Sequence, residues 1–449
     1  MTDTKLATVV MAGGLGTRMR SATPKHLHPL LGRRVIDWVL DTARALEPGR
    51  LVVVTAPETQ QELHGVEIAV QERPLGTGDA VASAHAALDG FDGDVLVLDG
   101  AAPMLTPEIL RGLVDEHRRQ GAAVTLLSFE PDTPLPYGRV LRGEDGSLLG
   151  VVEEKDATPE QRDLRELNSS IYVFSARDLW PALERLDPAN AQGELYLTDT
   201  VRLLVEEGRP AAVYRSDDAV SPVGVNDRAE LAFAAEVLRD RLNRRHMVAG
   251  VTIVDPSSTW IDAGVELEPD CVVHPFTVLR GRTRVAAGAE VGPHVVAVDA
   301  AIGEEALVGP FCYLRPGTVL GARAKAGTFV EIKNSTIGER TKVPHLSYVG
   351  DAEIGDETNV GAGNITANYP HQPGRPKGRT KIGRNVRTGV QNAFVAPVEI
   401  GDDAWVAVGT VVTDDVPPGS LAGFAPRQVT KEGYVYEKHG DGGRSDRGD

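Results

Sequence analysis

Cysteine is nearly absent from this 449-residue chain: the two thiols, Cys271 and Cys312, lie beside apolar neighbours at no spacing that frames a zinc site or a disulfide scaffold. They are expected to be small buried hydrophobes. Basic residues are also in deficit, 47 Lys and Arg against 64 Asp and Glu, and the formal charge of −17 argues against holding nucleic acid through the overall field. Any phosphate must be met by local cations. No run approaches the ~18 apolar residues of a membrane span, and the first residues show no basic leader followed by an apolar core. A cytoplasmic protein with neither membrane nor nucleic-acid partners is expected.

The chain does have length, and it exceeds the roughly 250–300 residues at which one hydrophobic core stops growing, so two domains are expected. Up to about residue 225, apolar runs at 6–11, 51–55, 95–98, 124–128 and 171–174 alternate with helical patterning at 34–45 and 78–88. That alternation predicts a mostly parallel sheet between helices. Residues 227–247 then carry Leu231, Ala234, Ala235, Leu238 and Leu242 on one face, which predicts a connecting helix. Beyond residue 250 the period becomes six. Ile261, Leu267, Val273, Leu279, Val285 and Val291 keep that spacing, as do Ile302, Val308, Leu314 and Leu320, and Ile382, Thr388, Phe394, Ile400, Val406 and Val412. One inward residue per short strand, followed by turn residues and often glycine, predicts a parallel β-helix of hexapeptide repeats. Its flat faces are expected to stack on copies of the same chain. The Gly- and Asp-rich tail, 438–449, is expected to be disordered.

Two stretches carry chemistry. The first predicted strand runs into Ala12-Gly13-Gly14-Leu15-Gly16-Thr17-Arg18-Met19, with Pro24-Lys25 after it. Glycines let the main chain approach a phosphate, and Arg18 and Lys25 supply charge against a triphosphate. This stretch resembles the signature of sugar-phosphate nucleotidyltransferases. Gln71 to Gly78, Tyr137-Gly138-Arg139, Val152 to Asp156, Leu167-Asn168-Ser169 and Gly224 to Asp227 follow in an order that narrows the resemblance. They are similar to bacterial bifunctional N-acetylglucosamine-1-phosphate uridylyltransferase/glucosamine-1-phosphate N-acetyltransferases, and the likeness spans nearly the whole chain.

The resemblance implies an α/β protein. A Rossmann-like nucleotidyltransferase domain (1–226) and a linker helix (227–247) would precede a left-handed β-helix acetyltransferase domain (248–437), in a homotrimer. Two half-reactions would make UDP-N-acetylglucosamine, a peptidoglycan and lipopolysaccharide precursor, from glucosamine 1-phosphate, acetyl-CoA and UTP by way of N-acetylglucosamine 1-phosphate. Met11, Ala12, Gly13, Gly14, Gln71, Gly76 and Thr77 would hold the uridine nucleotide, and Gly138, Glu153 and Asn168 the sugar. Lys25 and Arg18 would act on the phosphates, and Asn226 would bind Mg²⁺. Asn226 can also serve as a start signal for the helix behind it.

The second stretch lies in the repeats. Acetylating an amine requires a base, and histidine titrates near working pH. Within the resemblance His345 is that base, Arg315 and Lys333 clasp the sugar phosphate, Tyr348 and Asn359 touch the sugar, and Ala362, Asn368 and Tyr369 border acetyl-CoA. Val390 and Ala425 depart from the family's Ser and Arg, with Arg427 near the second. One departure is chemical: the family's Gly-Asp-x-Pro, whose Asp binds metal, reads Gly100-Ala101-Ala102-Pro103. Asp99, two residues earlier, would share a strand face with position 101 about 6–7 Å away and reach the ion only through water. Weak uridylyl transfer, or a first domain that binds without turning over, is therefore one alternative; a non-catalytic scaffold is another.

Overall fold

The computed structural model describes residues 5–14, 16–370, 374, 376–423, 428, 430–434 and 437, so the expected tail lies outside the described residues. The chain divides into two compact units, Met1–Leu242 and Asn243–Asp449.

In the first unit seven strands form the main path of a sheet: β1 (Leu6–Ala12), β2 (Arg50–Thr55), β3 (Glu67–Val70), β4 (Asp94–Asp99), β5 (Val124–Phe129), β6 (Leu167–Ser175) and β7 (Ala211–Arg215). They lie in the order β7-β5-β6-β4-β1-β2-β3, and only β6 runs antiparallel to its neighbours on this path. A hairpin, Arg139–Arg142 with Leu148–Val152, joins β6 off that path. The central strands are apolar on both faces because helices cover both. Val9, Val52 and Val97 pack with one cluster and Val10, Val53 and Leu98 with another.

Besides a single turn at Pro159–Arg162, the helices are α1 (Val35–Arg44), α2 (Thr77–Ser83), α3 (Pro107–Gln120), α4 (Ala176–Leu183), α5 (Leu197–Glu206) and α6 (Arg228–Val248). The helix predicted over 78–88 stops at Ser83 and resumes as a short 3-10 turn, Ala86–Leu88. In α6 Ala234 and Leu238 are buried with Met19, Val35 and Met104, so the first turns of this helix belong to the core of unit one, and the division between units falls inside it.

The second unit repeats strands of two to four residues, each paired in parallel with the strand one coil on. Val278 pairs with Val296, Val296 with Tyr313, Tyr313 with Glu331 and Glu331 with Tyr348. Three such sheets surround one core. Every predicted six-residue anchor is buried there except Leu267, which is partly buried. Cys271 and Cys312 are buried and unpaired, and burial pushes their thiols up to about 11 and about 12.

Between sheets the chain turns through left-handed residues stacked in columns. One column is Phe276, His294, Phe311, Phe329 and Leu346; a second is Glu305, Arg323, Arg340 and Glu357; a third is Asp299, Asn334 and Asp351. In the first, the rings stack at 4.8, 4.8 and 5.3 Å between centroids, yet Phe276, Phe311, Phe329 and Leu346 remain exposed.

Leu279 is fully buried in this interior. Leu279→Ala is expected to lower the stability of the β-helix unit by about 2–5 kcal/mol, read as a shifted denaturation midpoint. An unchanged midpoint would mean that the coil interior is not close-packed at that level.

Candidate active sites

Open sheets of this kind bind ligands beyond the carboxyl ends of their parallel strands. There β1 ends at Ala12 and β4 at Asp99, and a cleft of 460 Å³ opens between them. Met11, Ala12, Gly13, Gly14, Lys25, Gln71, Gly76 and Thr77 all line it. Glycine is required at Gly76 and favoured at Gly13. A Cβ on Gly13 would stand 2.5 Å from Gln71 Oε1, and one on Gly76, whose φ is 125°, would stand 2.5 Å from the Leu195 carbonyl oxygen. Gln71 is fixed by donating from Nε2 to the Gly76 carbonyl at 3.1 Å and to Asp79 Oδ2 at 2.7 Å.

A smaller chamber of 140 Å³ adjoins the cleft, lined by Arg18, Gly138, Glu153 and Asn226 among others. Asp99 and Ser170 border both spaces. Sequence reasoning missed Ser170. It has a φ of 62° at a register shift in β6, and such a bulge re-aims a side chain at a site edge. Asn168, at the same irregularity, is buried and does not line either space; its Nδ2 donates to the Tyr172 hydroxyl at 2.7 Å. Tyr137 closes the chamber, its phenol accepting from the Gly224 N–H at 2.9 Å and pushed up to about 12 by burial.

Lys25 Nζ lies 3.4 Å from Asn226 Oδ1 and 3.7 Å from Asp99 Oδ1. The helix start is signalled by Asp227, whose Oδ1 accepts from the N–H groups of Ala229 and Glu230 at 2.9 Å, which leaves the Asn226 side chain to the chamber. The extended-strand relation expected between Asp99 and position 101 does not occur. β4 ends at Asp99, the chain turns, and Asp99 Oδ1 accepts from the Ala101 N–H at 3.0 Å. Ala101 itself is fully buried among Met19, Met104, Phe129 and Val225.

A roomier cavity of 890 Å³ opens at the opposite ends of the strands, beside Leu6 and Arg50. It is lined by none of Gly13, Gly14 and Gly76 and none of Gly138, Glu153 and Asn226, so the carboxyl-end cleft is the candidate. Among the described residues no group of three or more His, Cys, Asp and Glu forms a ready metal cage, and no helix is long and apolar enough to cross a membrane.

In the β-helix, Arg315 directly follows the strand Tyr313–Leu314, Lys333 ends the strand Glu331–Lys333 one coil on, and Tyr348 begins the next strand of that sheet. Arg315 Nη1 donates to Glu331 Oε1 at 2.8 Å. The Lys333 ammonium is held below the usual lysine range because the Lys377 ammonium lies against it. Lys377 was not foreseen. It arrives on an excursion between strands Ile365–Ala367 and Thr380–Ile382, closed by the Gly378 N–H on the Asn368 carbonyl at 3.0 Å, and its Nζ sits 5.2 Å from the exposed Tyr369 ring. The break in the six-residue period was the only signal of it.

Burial alone would raise the Asp351 carboxyl, but hydrogen bonds from Asn334 and Asn368, with Lys377 and Lys333 nearby, keep it low. Gly350 keeps the neighbouring backbone bare, since a Cβ there would come within 2.3 Å of the Tyr348 hydroxyl. His345, exposed, ends the strand Lys342–His345 at the corner just before Tyr348. Asn359 bridges Lys342 and Arg387 in the coils alongside, and the Ala362 carbonyl accepts from the Gln391 N–H at 2.8 Å. Val390 is exposed nearby; Ala425 and Arg427 lie outside the described residues.

Residues 8–211 match the MobA-like NTP transferase domain family. Over 460 aligned residues the chain is 46% identical to the "Bifunctional protein GlmU" of Mycobacterium tuberculosis (strain ATCC 25177 / H37Ra), covering 96% of this chain and 92% of that protein. The protein of the same name from Mycolicibacterium smegmatis is 46% identical, with 97% and 96% covered. That from Corynebacterium aurimucosum is 43% identical, with 97% and 94% covered.

The chamber acid gives a pH test. Burial raises the Glu153 carboxyl above its ordinary range, opposed by the hydrogen bond from Thr198. A raised native pKa penalises the fold once pH climbs past the unfolded value of about 4.3, and leaves no penalty below it. Glu153→Gln, which keeps an acceptor for Thr198, is therefore expected to melt at a higher temperature than the native protein at pH 8, with the gap closing by pH 4. Equal melting curves at pH 8 would mean that the carboxylate is not strained there.

Proposed function

Because the chain belongs to the family of bifunctional GlmU proteins, we propose that it makes UDP-N-acetylglucosamine in two steps, one in each unit. The observation that carries the acetyl-transfer half is the meeting of three cations, Arg315, Lys333 and Lys377, on the coil face that His345 borders. Like charges crowd in this way where an anion is to be held. The sugar phosphate is that anion, with Tyr348 and Asn359 on the sugar and Ala362, Asn368 and Tyr369 beside acetyl-CoA. His345 takes a proton from the ammonium group of glucosamine 1-phosphate. The freed amine nitrogen attacks the thioester carbonyl, the carbon–sulfur bond breaks, and coenzyme A leaves as the thiol, its thiolate taking up the second proton that the nitrogen gives up on becoming an amide.

In the first unit the product's phosphate oxygen attacks the α-phosphorus of UTP and pyrophosphate departs. Gly13 and Gly14 bring main chain to the phosphates, Lys25 and Arg18 offset their charge, and Gln71, Gly76 and Thr77 wall the uridine side. Gly138 and Glu153 face the sugar. The oxygen donors at this corner, the Asp99 carboxylate and the Asn226 amide, suit Mg²⁺, which would supply further charge neutralisation on the triphosphate.

The exposed ring column ending at Leu346, next to His345, supports a homotrimer in which neighbouring copies cover that corner and complete the acetyl-transfer site.

Two measurements bear on this reading. His345→Ala is expected to cut release of coenzyme A thiol by about 10²–10⁴-fold, while pyrophosphate release from UTP is unaffected; unchanged acetyl transfer would remove His345 from the chemistry. Phe329→Asp is expected to break the assembly in sedimentation and to depress acetyl transfer alone. A fully active monomer would refute the shared site.

A further inference from the structure

Which residue supplies the negative charge for a divalent cation is open in this chain, because position 101 carries Ala. Asn226 alone offers an uncharged oxygen, whereas Mg²⁺ is usually bound through one or two carboxylates together with substrate phosphates. The Ala101 side chain is fully buried in an apolar cluster, and its carbonyl accepts from the Val225 N–H at 2.7 Å. Asp99 has the opposite character. It stands at the carboxyl end of β4, borders both the cleft and the chamber, and is anchored by the Ala101 N–H at 3.0 Å on Oδ1.

The Lys25 ammonium sits 3.7 Å from Asp99 Oδ1 and 3.4 Å from Asn226 Oδ1. Two oxygens from distant parts of the chain thus converge on one cationic atom.

Resting on the nucleotidyl-transfer reading, we infer that Asp99 is the metal-side carboxylate of this chain: with Asn226 it holds the divalent cation that accompanies UTP, in place of a carboxylate at position 101. The turn after β4 makes this relocation possible. Had the strand continued, the side chain of residue 99 would have been set by the strand's pleat and kept well away from that of residue 101. Because it ends, the Asp99 carboxylate folds back over the start of the turn toward the Lys25 and Asn226 corner. Lys25 is the competing cation, and its ammonium pairs with phosphate once nucleotide is present.

The test is calorimetric titration of UTP into the full-length protein with and without Mg²⁺, comparing native, Asp99→Asn and Asn226→Ala forms. Native protein is expected to bind UTP more tightly with Mg²⁺. In Asp99→Asn that gain should shrink by about tenfold or more, the scale of losing a group that supports a metal. Binding without Mg²⁺ should hold or tighten, because Lys25 has lost its carboxylate partner. Asn226→Ala should also lose part of the Mg²⁺ gain. If Asp99→Asn keeps the full gain, Asp99 is only an ion-pair partner of Lys25 and the inference falls. Native protein that binds no UTP even with Mg²⁺ would instead overturn the nucleotidyl-transfer reading itself.

Discussion

The β-helix closes only because its corners take a left-handed backbone, a conformation that disfavours a side-chain-bearing residue by about 1–2 kcal/mol. Asn and Asp tolerate it, as Asn334 and Asp351 do, but Phe276, Phe311, Phe329 and Leu346 ordinarily do not. The structure repeats the strained residue at the same place in successive coils, so such a side chain finds a matching partner in a neighbouring coil. Rings stack on rings, Arg323 and Arg340 meet Glu305 and Glu357 at 2.7 Å, and Asn334 donates to Asp351 at 2.6 Å. Inside the corners, hydroxyls tie one coil to the next: Ser335 Oγ donates to the Lys333 carbonyl and accepts from the Ala352 N–H. With the corners fixed, the inward positions and the two flanks of each face are fixed too. Arg315, Lys333 and Tyr348 share a face for that reason.

The cleft of the first unit depends on a different device, the ending of strands. Parallel strands β1 and β4 stop together, and the loops beyond them carry groups that line the cleft. Local irregularities decide which side chains point inward. The bulge in β6 turns Ser170 to the cleft and withdraws Asn168, and the turn after β4 presents Asp99 while it buries Ala101. Positive charge is kept local, as an acidic chain requires: Lys25 and Arg18 lie at this edge.

Much of this was legible in the sequence because it depends on period and on backbone need. Six-residue spacing marks an inward side chain in the strands of a coil, and the anchors from Ile261 to Val412, the partly buried Leu267 apart, fall inside accordingly. The glycine turn after β1 was readable as main chain able to approach a ligand, whereas Gly76 came only with the family resemblance, and the structure shows there a φ of 125° and a Leu195 carbonyl that leaves no room for a Cβ. What depends on where an element stops was not readable. The strand-face relation assumed for Asp99 and position 101 failed because the pairing with β1 ends at Asp99, the Gly100 N–H on the Met11 carbonyl being its last bond, and nothing in Asp-Gly-Ala-Ala-Pro fixes that residue as the last. Ser170 and Lys377 escaped for the same cause, one placed by a bulge and the other by an irregular excursion, neither of which has a period.

The excursion that delivers Lys377 shows how such a solenoid can change at all. Because each coil must hand its corner residues to the next in register, the rod tolerates growth or shortening only by whole coils; a residue or two added inside a strand would misalign every column beyond it. Novelty is admitted at the corners, where a loop of any length can leave and return to the same two strands. The strands Ile365–Ala367 and Thr380–Ile382 on either side of such a departure keep their places, and the pairing of Ile354 with Ile382 is intact. Descendants of this chain would therefore be expected to differ in coil number by integers and in chemistry by loops, with the two kinds of change independent of each other.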